Sequence, residues 1–186
     1  MTVSLRDARR SEEDQLWIRA VYPEYLDELG AVSHANDTGV FPVFGEHGSR
    51  EAELLSRWFR DDRSHPLLIL DEGRAGGFAL VSRPLMPSSA RDGFDYRMAE
   101  FYIRRPYRRR GIGRAAASLI FSRFAGRWEV SEAVPNKGAV TFWRQTVMAF
   151  TQGHYDERVR DGEVRQYFRS EEHTSELQSR GLISYA

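Results

Sequence analysis

The order of the predicted elements assigns the chain to the α/β class, with one mixed sheet flanked by helices. Strand-like apolar runs in the N-terminal half are followed by a helix–strand–helix alternation. Such an order is typical of a mixed sheet covered by helices. The chain has 186 residues, of which 41% are hydrophobic. This length and composition suit a single globular domain with a substantial core.

The N-terminal elements follow from local signals. Residues 3–6 form a short predicted strand. Ser11 is a helix cap with acidic residues behind it, and Asp14 stands at the capping-box position. The helix is expected to continue to Leu29, with a kink or a split at Pro23. Turn-forming residues then predict a loop over residues 30–49, and an apolar pattern predicts a helix over 49–60. A strand hairpin is predicted over 67–70 and 76–82, and a second loop over 86–93.

The second half alternates between the two element types. A strand over residues 94–103 is followed by a helix over 115–125, a strand over 128–134 and a helix over 136–149. Two final strands are predicted over 152–158 and 163–168. Residues 169–186 read like the translation of a sequencing adapter. We therefore expect a domain over residues 1–168 and a non-native or disordered tail over 169–186.

The most informative segment joins the strand that ends at Ile103 to the next helix. It carries arginines together with Gly111 and Gly113. A strand–turn–helix junction presents backbone N–H groups and the positive end of a helix dipole to an anion, and glycines allow close approach. Position 116 is Ala and no Gly-Lys-Ser/Thr follows. The turn therefore matches neither the strict dinucleotide motif nor a P-loop.

Two motifs carry a family resemblance. Arg108, Gly111 and Gly113 form an Arg-x-x-Gly-x-Gly turn between strand and helix. Asn136 and Ala139 form an Asn-x-x-Ala element at the start of the next helix. Together they resemble the GNAT superfamily of N-acetyltransferases. The resemblance implies a mostly antiparallel central sheet in which two strands splay apart to hold acetyl-CoA.

The resemblance also implies which residues bind acetyl-CoA. The backbone of two residues in the strand would pair with the pantetheine arm, main-chain N–H groups of the turn would hold the pyrophosphate, and the following Asn helix would complete the site. These expected contacts are Phe101, Ile103, Arg108, Arg109, Arg110, Gly111, Ile112, Gly113, Arg114, Asn136 and Trp143. The side chain of Ile112 itself is expected in the core.

Glu100 is the expected catalytic base, because a charge in the middle of an apolar strand is costly without a purpose. A structural carboxylate paired with an arginine is an equal alternative. The family's usual acid, a tyrosine, is replaced by Trp143, whose indole N–H cannot act as an acid. Tyrosines elsewhere remain as substitutes: Tyr22, Tyr25, Tyr96, Tyr102, Tyr107 and Tyr155.

The predicted function is transfer of an acetyl group from acetyl-CoA to a primary amine by direct attack. The acceptor would be a small molecule or a peptide. The alternative is a CoA-binding module with weak or no transferase activity. Contact with nucleic acid through Arg104–Arg114 is disfavoured by the zero net charge.

Composition limits the remaining classes. Cysteine is absent and the five histidines form no metal-binding pattern, so no disulfide and no metal site is expected. No apolar run has the length of a membrane span. We expect a cytoplasmic monomer or homodimer without a membrane partner.

Overall fold

The computed structural model describes residues 2–35, 55–85 and 93–171. These residues form one sheet of seven strands, three helices and a further helical segment over 55–60. The strands are β1 (Val3–Asp7), β2 (Ser64–Asp71), β3 (Arg74–Ser82), β4 (Tyr96–Ile103), β5 (Gly126–Ala133), β6 (Asp156–Arg160) and β7 (Glu163–Ser170). The helices are α1 (Glu12–Ala35), α2 (Ile112–Arg123) and α3 (Lys137–Thr151).

The sheet is antiparallel except at its centre. Its strand order is β1-β2-β3-β4-β5-β7-β6, and β4 and β5 are the one parallel pair among the described strands. This pair is short: β4 residues 96–98 lie opposite β5 residues 128–130. Beyond these residues the two strands separate. The predicted mixed, mostly antiparallel sheet with a splayed strand pair is confirmed.

Alternation along the strands divides the core between the two faces of the sheet. On one face, Ile69, Val81 and Trp128 pack with residues of α2 and α3. On the other face, Leu68 and Phe78 join residues of α1 and of the 55–60 segment. Side chains of neighbouring strand positions point to opposite faces, so the apolar run in β2 supplies both cores.

Helix α1 differs from the sequence prediction. It runs through Pro23 as one helix and continues to Ala35, so the predicted split at Pro23 and a loop beginning at residue 30 are wrong. Proline removes one backbone hydrogen bond. Buried Tyr22 and Leu26, which pack on the sheet, compensate for that loss. The predicted cap is present, since the Asp14 N–H donates to Ser11 Oγ at 3.2 Å.

The C-terminal end of the domain also lies beyond its predicted position. Strand β7 includes Arg169 and Ser170, which pair with β5. The Ser170 side chain is buried and its hydroxyl donates to the Phe121 carbonyl at 2.5 Å. Residues 172–186 of the predicted tail, residues 86–92 of the loop predicted over 86–93, and residues 36–54 lie outside the described residues. No helix within the described ranges is long and apolar enough to cross a membrane.

Candidate active site

The turn before α2 has an unusual backbone. Arg109 and Gly111 have φ angles of 60° and 78°, in the left-handed region. Gly111 is the N-cap of α2, and in this fully described turn no side chain caps the helix. The first intrahelical bond runs from the Ala115 N–H to the Gly111 carbonyl at 3.0 Å. N–H groups in the first turn of a helix have no intrahelical partner, so this end of α2 suits an anion.

The arginine side chains of the turn mainly anchor it to the fold. Arg108 donates to Glu28 at 2.8 Å and to the Ile103 carbonyl at 2.6 Å. Arg110 lies 3.0 Å from the buried carboxylate of Asp71. These contacts fix the turn against α1 and β2. The Arg108 and Arg110 side chains are therefore engaged within the fold, whereas the backbone N–H groups at the start of α2 are not capped by a side chain.

Gly113 packs closely against α3 and β4. A Cβ at this position would lie 3.3 Å from the ring of Phe142 and 3.5 Å from the side chain of Ile103. The neighbouring Ile112 is almost fully buried, in accord with the expectation that its side chain belongs to the core. Arg114 is exposed on the outer side of α2. Of these α2 residues, we expect the backbone rather than the buried side chains to face a ligand.

The separation of β4 from β5 begins at a bulge. In the pairing with β3, Leu80 lies opposite Glu100 and Val81 opposite Met98, so Ala99 is the extra residue. A bulge bends the strand that carries it. From Ala99 to Ile103, in this fully described region, the edge of β4 that faces β5 has no paired strand. The opening therefore exposes a strand edge to which an extended ligand could add.

Helix α3 forms the wall of this opening. The Asn136 side chain accepts a hydrogen bond from the Ala139 N–H at 3.3 Å, so the expected helix cap is present. Phe142 stacks on Phe101 with a centroid distance of 5.8 Å, and Trp143 meets Phe101 edge-on at 5.1 Å. The side chain of Phe101 is thereby held against α3, which leaves its backbone as the part available to a ligand.

Glu100 lies at the start of the opening and is partly buried. The Tyr25 hydroxyl, from α1, donates a hydrogen bond to its Oε2. Burial raises the pKa of Glu100 from 4.5 to about 7, and the charge of Glu132 adds to the rise. Within the described residues, none of the ion pairs involves Glu100. This arrangement suits a proton acceptor near neutral pH better than a structural ion pair.

A second carboxylate, which the sequence analysis missed, lies on the opposite strand. Glu132 of β5 accepts a hydrogen bond from Trp143 Nε1 at 2.9 Å. Burial raises the pKa of Glu132 to about 7, and the charge of Glu163 adds to the rise. The sequence feature that could have indicated Glu132 is its place near the end of β5, beside Ala133 and four residues before Asn136. The opening thus carries one carboxylate on each strand.

The tyrosines nearest the opening are poor proton donors. Burial and the charge of Glu100 raise the pKa of Tyr25 well above its ordinary value. Burial and the hydrogen bond to Glu28 raise the pKa of Tyr102 to about 12. Both hydroxyls instead donate to carboxylates. They hold α1 against β4.

Comparison with known proteins decides the family. The family model described as the acetyltransferase (GNAT) family matches residues 15–150. The chain belongs to this family. The predicted fold class and acyltransferase class are thereby confirmed. Among curated proteins, no sequence matches significantly.

Several solved GNAT-like structures share the fold. An acetyltransferase from Thermus thermophilus is 16% identical with a TM-score of 0.60, covering 91% of this chain and 97% of its own. The ribosomal-protein-S18-alanine N-acetyltransferase of Escherichia coli is 14% identical with a TM-score of 0.54, covering 94% and 98%. A Salmonella typhimurium protein described as an acetyltransferase and solved with its cofactor acetyl-CoA is 14% identical with a TM-score of 0.56, again covering 94% and 98%. These likenesses support the GNAT fold.

Proposed function

We propose that this GNAT protein transfers the acetyl group of acetyl-CoA to a primary amine by direct attack. The observation that carries the proposal is the position of Glu100. Burial raises the pKa of this carboxylate to about 7, and Glu100 lies where β4 leaves β5 and the open strand edge begins. A carboxylate in such a place can accept the proton that an attacking amine must lose.

The chain offers a separate element for each part of acetyl-CoA. We expect the main-chain N–H groups of residues 109–114 to bind the pyrophosphate, because the first turn of α2 has no side-chain cap. The pantetheine arm would lie along residues 101–103 of β4, where β5 no longer pairs. Asn136 would contact the same arm while its oxygen caps α3. Trp143, buried behind Phe101, would line this path without reaching solvent.

The reaction needs few groups. Glu100 would accept the ammonium proton of the bound amine, directly or through a water molecule. A backbone N–H in residues 101–103 would polarise the thioester carbonyl. The C–N bond then forms, the C–S bond breaks and CoA leaves as a thiolate. The nitrogen gives up its second proton to this thiolate, directly or through water, and Glu100 returns the first proton to solvent. Positioning of the amine beside the thioester supplies much of the rate, as in other reactions without a covalent enzyme intermediate. The absence of cysteine excludes a cysteine nucleophile.

A thiol-release assay tests the proposal. The protein would be incubated with acetyl-CoA and a panel of primary amines that includes diamines, amino sugars and peptides with free α-amino groups. Peptides belong in the panel because one structure with the same fold is named as an S18-alanine N-acetyltransferase. We expect amine-dependent release of free thiol. Calorimetric binding of acetyl-CoA without release for any amine would instead favour a CoA-binding module.

A further inference from the structure

A groove lined by arginines lies beside the opening, on strands β4, β5, β7 and β6. Its volume is about 300 Å³. The charged side chains that line this arginine groove are Arg97, Glu129, Arg158, Arg160 and Arg165. Four of the five are cationic, so the lining carries an excess of positive charge, whereas the whole chain has a net charge of zero. A concave surface of this kind attracts anions.

The arginine groove shares one face of the sheet with Glu100. Arg97 lies opposite Ser82 of β3, and Glu100 lies opposite Leu80. Residues 80 and 82 point to the same face of β3, because side chains alternate along a strand. The bulge at Ala99 thus brings Arg97 and Glu100 to one face, with their Cα atoms about 7 Å apart along the sheet. The groove therefore begins next to the proposed base.

The arginines of β7 and β6 extend the groove past the end of the β4–β5 pairing. Ser131 is the first β5 residue beyond that pairing, and Arg165 of β7 lies opposite it. Arg158 of β6 lies opposite Arg165 in turn. Strands β4 and β7 are separated by two strand spacings, about 10 Å before the opening widens. A molecule that crosses β5 from Glu100 would therefore place its far end at Arg165.

A buried carboxylate and two aromatic rings hold the floor of the groove in place. Glu129 is 3% exposed and accepts a hydrogen bond from Arg97 at 2.6 Å. The Tyr167 hydroxyl also donates to Glu129. The guanidinium of Arg97 lies over the Phe94 ring at 4.6 Å, and that of Arg158 lies over the Tyr167 ring at 5.7 Å. These contacts orient the arginine side chains of the groove.

The partners of the outer arginines leave capacity for a further anion. Arg165 donates from Nε to Glu163 at 2.9 Å, and it also donates to Tyr167. A guanidinium has five N–H donors, so these two partners do not occupy all of them. Arg160 pairs with Asp161 at 3.3 Å, and the two side chains are 75% and 71% exposed. An exposed pair of this kind is weak, so Arg160 can exchange its partner for another anion.

We propose that the amine acceptor also carries an anionic group, a carboxylate or a phosphate, and that Arg165 and Arg158 bind this group. This inference rests on the proposed function and names its class of acceptor. Planar guanidinium groups bind carboxylate and phosphate oxygens through paired hydrogen bonds. When the anionic group is held at β7, the amine at the other end of the acceptor lies beside Glu100. A second ammonium group would be repelled by the arginines, so diamines should be poor acceptors.

Thiol release from acetyl-CoA with amines of matched length tests the inference. Hexylamine, aminohexanoate, aminohexyl phosphate and diaminohexane differ mainly in the charge at the end remote from the reacting amine. Short peptides with acidic, neutral or basic side chains after the free α-amino group give the same comparison. We expect kcat/KM to be about tenfold higher for anionic than for neutral acceptors, and lowest for the cationic ones. The better of the carboxylate and phosphate acceptors identifies the anion that the groove binds.

The variant that removes the anion site combines Arg165→Gln with Arg158→Gln. It should raise KM for anionic acceptors about tenfold with little change in kcat, so that the preference over neutral acceptors disappears. An unchanged dissociation constant for acetyl-CoA would show that the variant is folded. Arg144→Gln is the matched control, because Arg144 is an arginine of α3 that pairs with Glu157 outside the groove. It should keep the preference.

Equal kcat/KM values for anionic and neutral acceptors in the wild type would overturn the inference and leave the proposed acetyl transfer standing. A preference that persists in the double variant would also overturn it, because another site would then bind the anion. If no amine of either set releases thiol, the proposed function and the inference fall together.

Discussion

Glu100→Gln should stabilise the protein at alkaline pH while it lowers the rate. The pKa of Glu100 rises from 4.5 to about 7 on folding. At about 1.4 kcal/mol for each pKa unit, ionised Glu100 costs the folded state about 3 kcal/mol. Below pH 4.5 both the folded and the unfolded chain hold the proton, so the cost is absent. Between pH 4.5 and 7 the folded state binds more protons, and its stability falls as pH rises.

The assay is denaturant unfolding of wild type and variant at pH 4 and pH 8. Glutamine can still accept the Tyr25 hydrogen bond, and any penalty from its amide group is the same at both pH values. We therefore expect the stability difference to shift by about 3 kcal/mol in favour of the variant between pH 4 and pH 8. The rate of acetyl transfer should fall by about 10²–10⁴-fold with unchanged CoA affinity, as for loss of a general base. The rate loss should narrow at high pH, where more of the amine is already neutral.

Glu157→Gln provides a control of opposite sign. Its hydrogen bonds with Arg144 lower the pKa of Glu157, so this carboxylate stabilises the fold above its unfolded pKa. Replacing it should shift the stability difference toward wild type as pH rises. If the Glu100→Gln difference stays constant from pH 4 to pH 8, Glu100 ionises normally. The account of a tuned base would then be refuted.

Three further predictions concern the turn and the domain boundary. Gly111→Ala should weaken acetyl-CoA binding at least tenfold in calorimetry, about 1.4 kcal/mol. Gly73→Ala is the control, because Gly73 has a similar φ of 81°. It should lower the stability of the protein by a similar amount and leave acetyl-CoA binding intact. Glu28→Gln removes a carboxylate that accepts hydrogen bonds from two arginines and a tyrosine. These hydrogen bonds lower the pKa of Glu28. In denaturant unfolding the variant should therefore be less stable than wild type at pH 7, and the stability difference should shrink toward pH 3. Truncation after Ser170 should leave the melting temperature unchanged, whereas truncation after Phe168 should lower it, because it removes a buried hydroxyl bonded to α2.

The parts of the fold that local signals determine were predictable from the sequence. The Ser11 cap, the turn with Gly111 and the Asn136 cap depend on residues close in the chain, and all three are present. The continuation of α1 through Pro23 was not predictable, because helix propensity near a proline says nothing of the packing on the sheet that overrides it.

The candidate site was predictable only in part, because its chemistry depends on contacts between distant residues. Glu100 stood out as a charge within an apolar strand. Its partner Tyr25 comes from α1, 75 positions earlier, and no spacing rule links the two. Glu132 became visible as a functional candidate only once the parallel pairing of β4 and β5 placed it across the opening from Glu100.

Hydrogen exchange with and without acetyl-CoA tests the central claim most directly, namely that the opening between β4 and β5 and the start of α2 hold the co-substrate. We expect slower amide exchange in residues 99–103 and 109–114 when acetyl-CoA is added. In the first segment the N–H groups that face β5 have no strand partner, and in the second the start of α2 has no side-chain cap. Exchange in β6 should not change. Unchanged exchange in both segments at saturating acetyl-CoA, or protection confined to another part of the chain, would contradict the account.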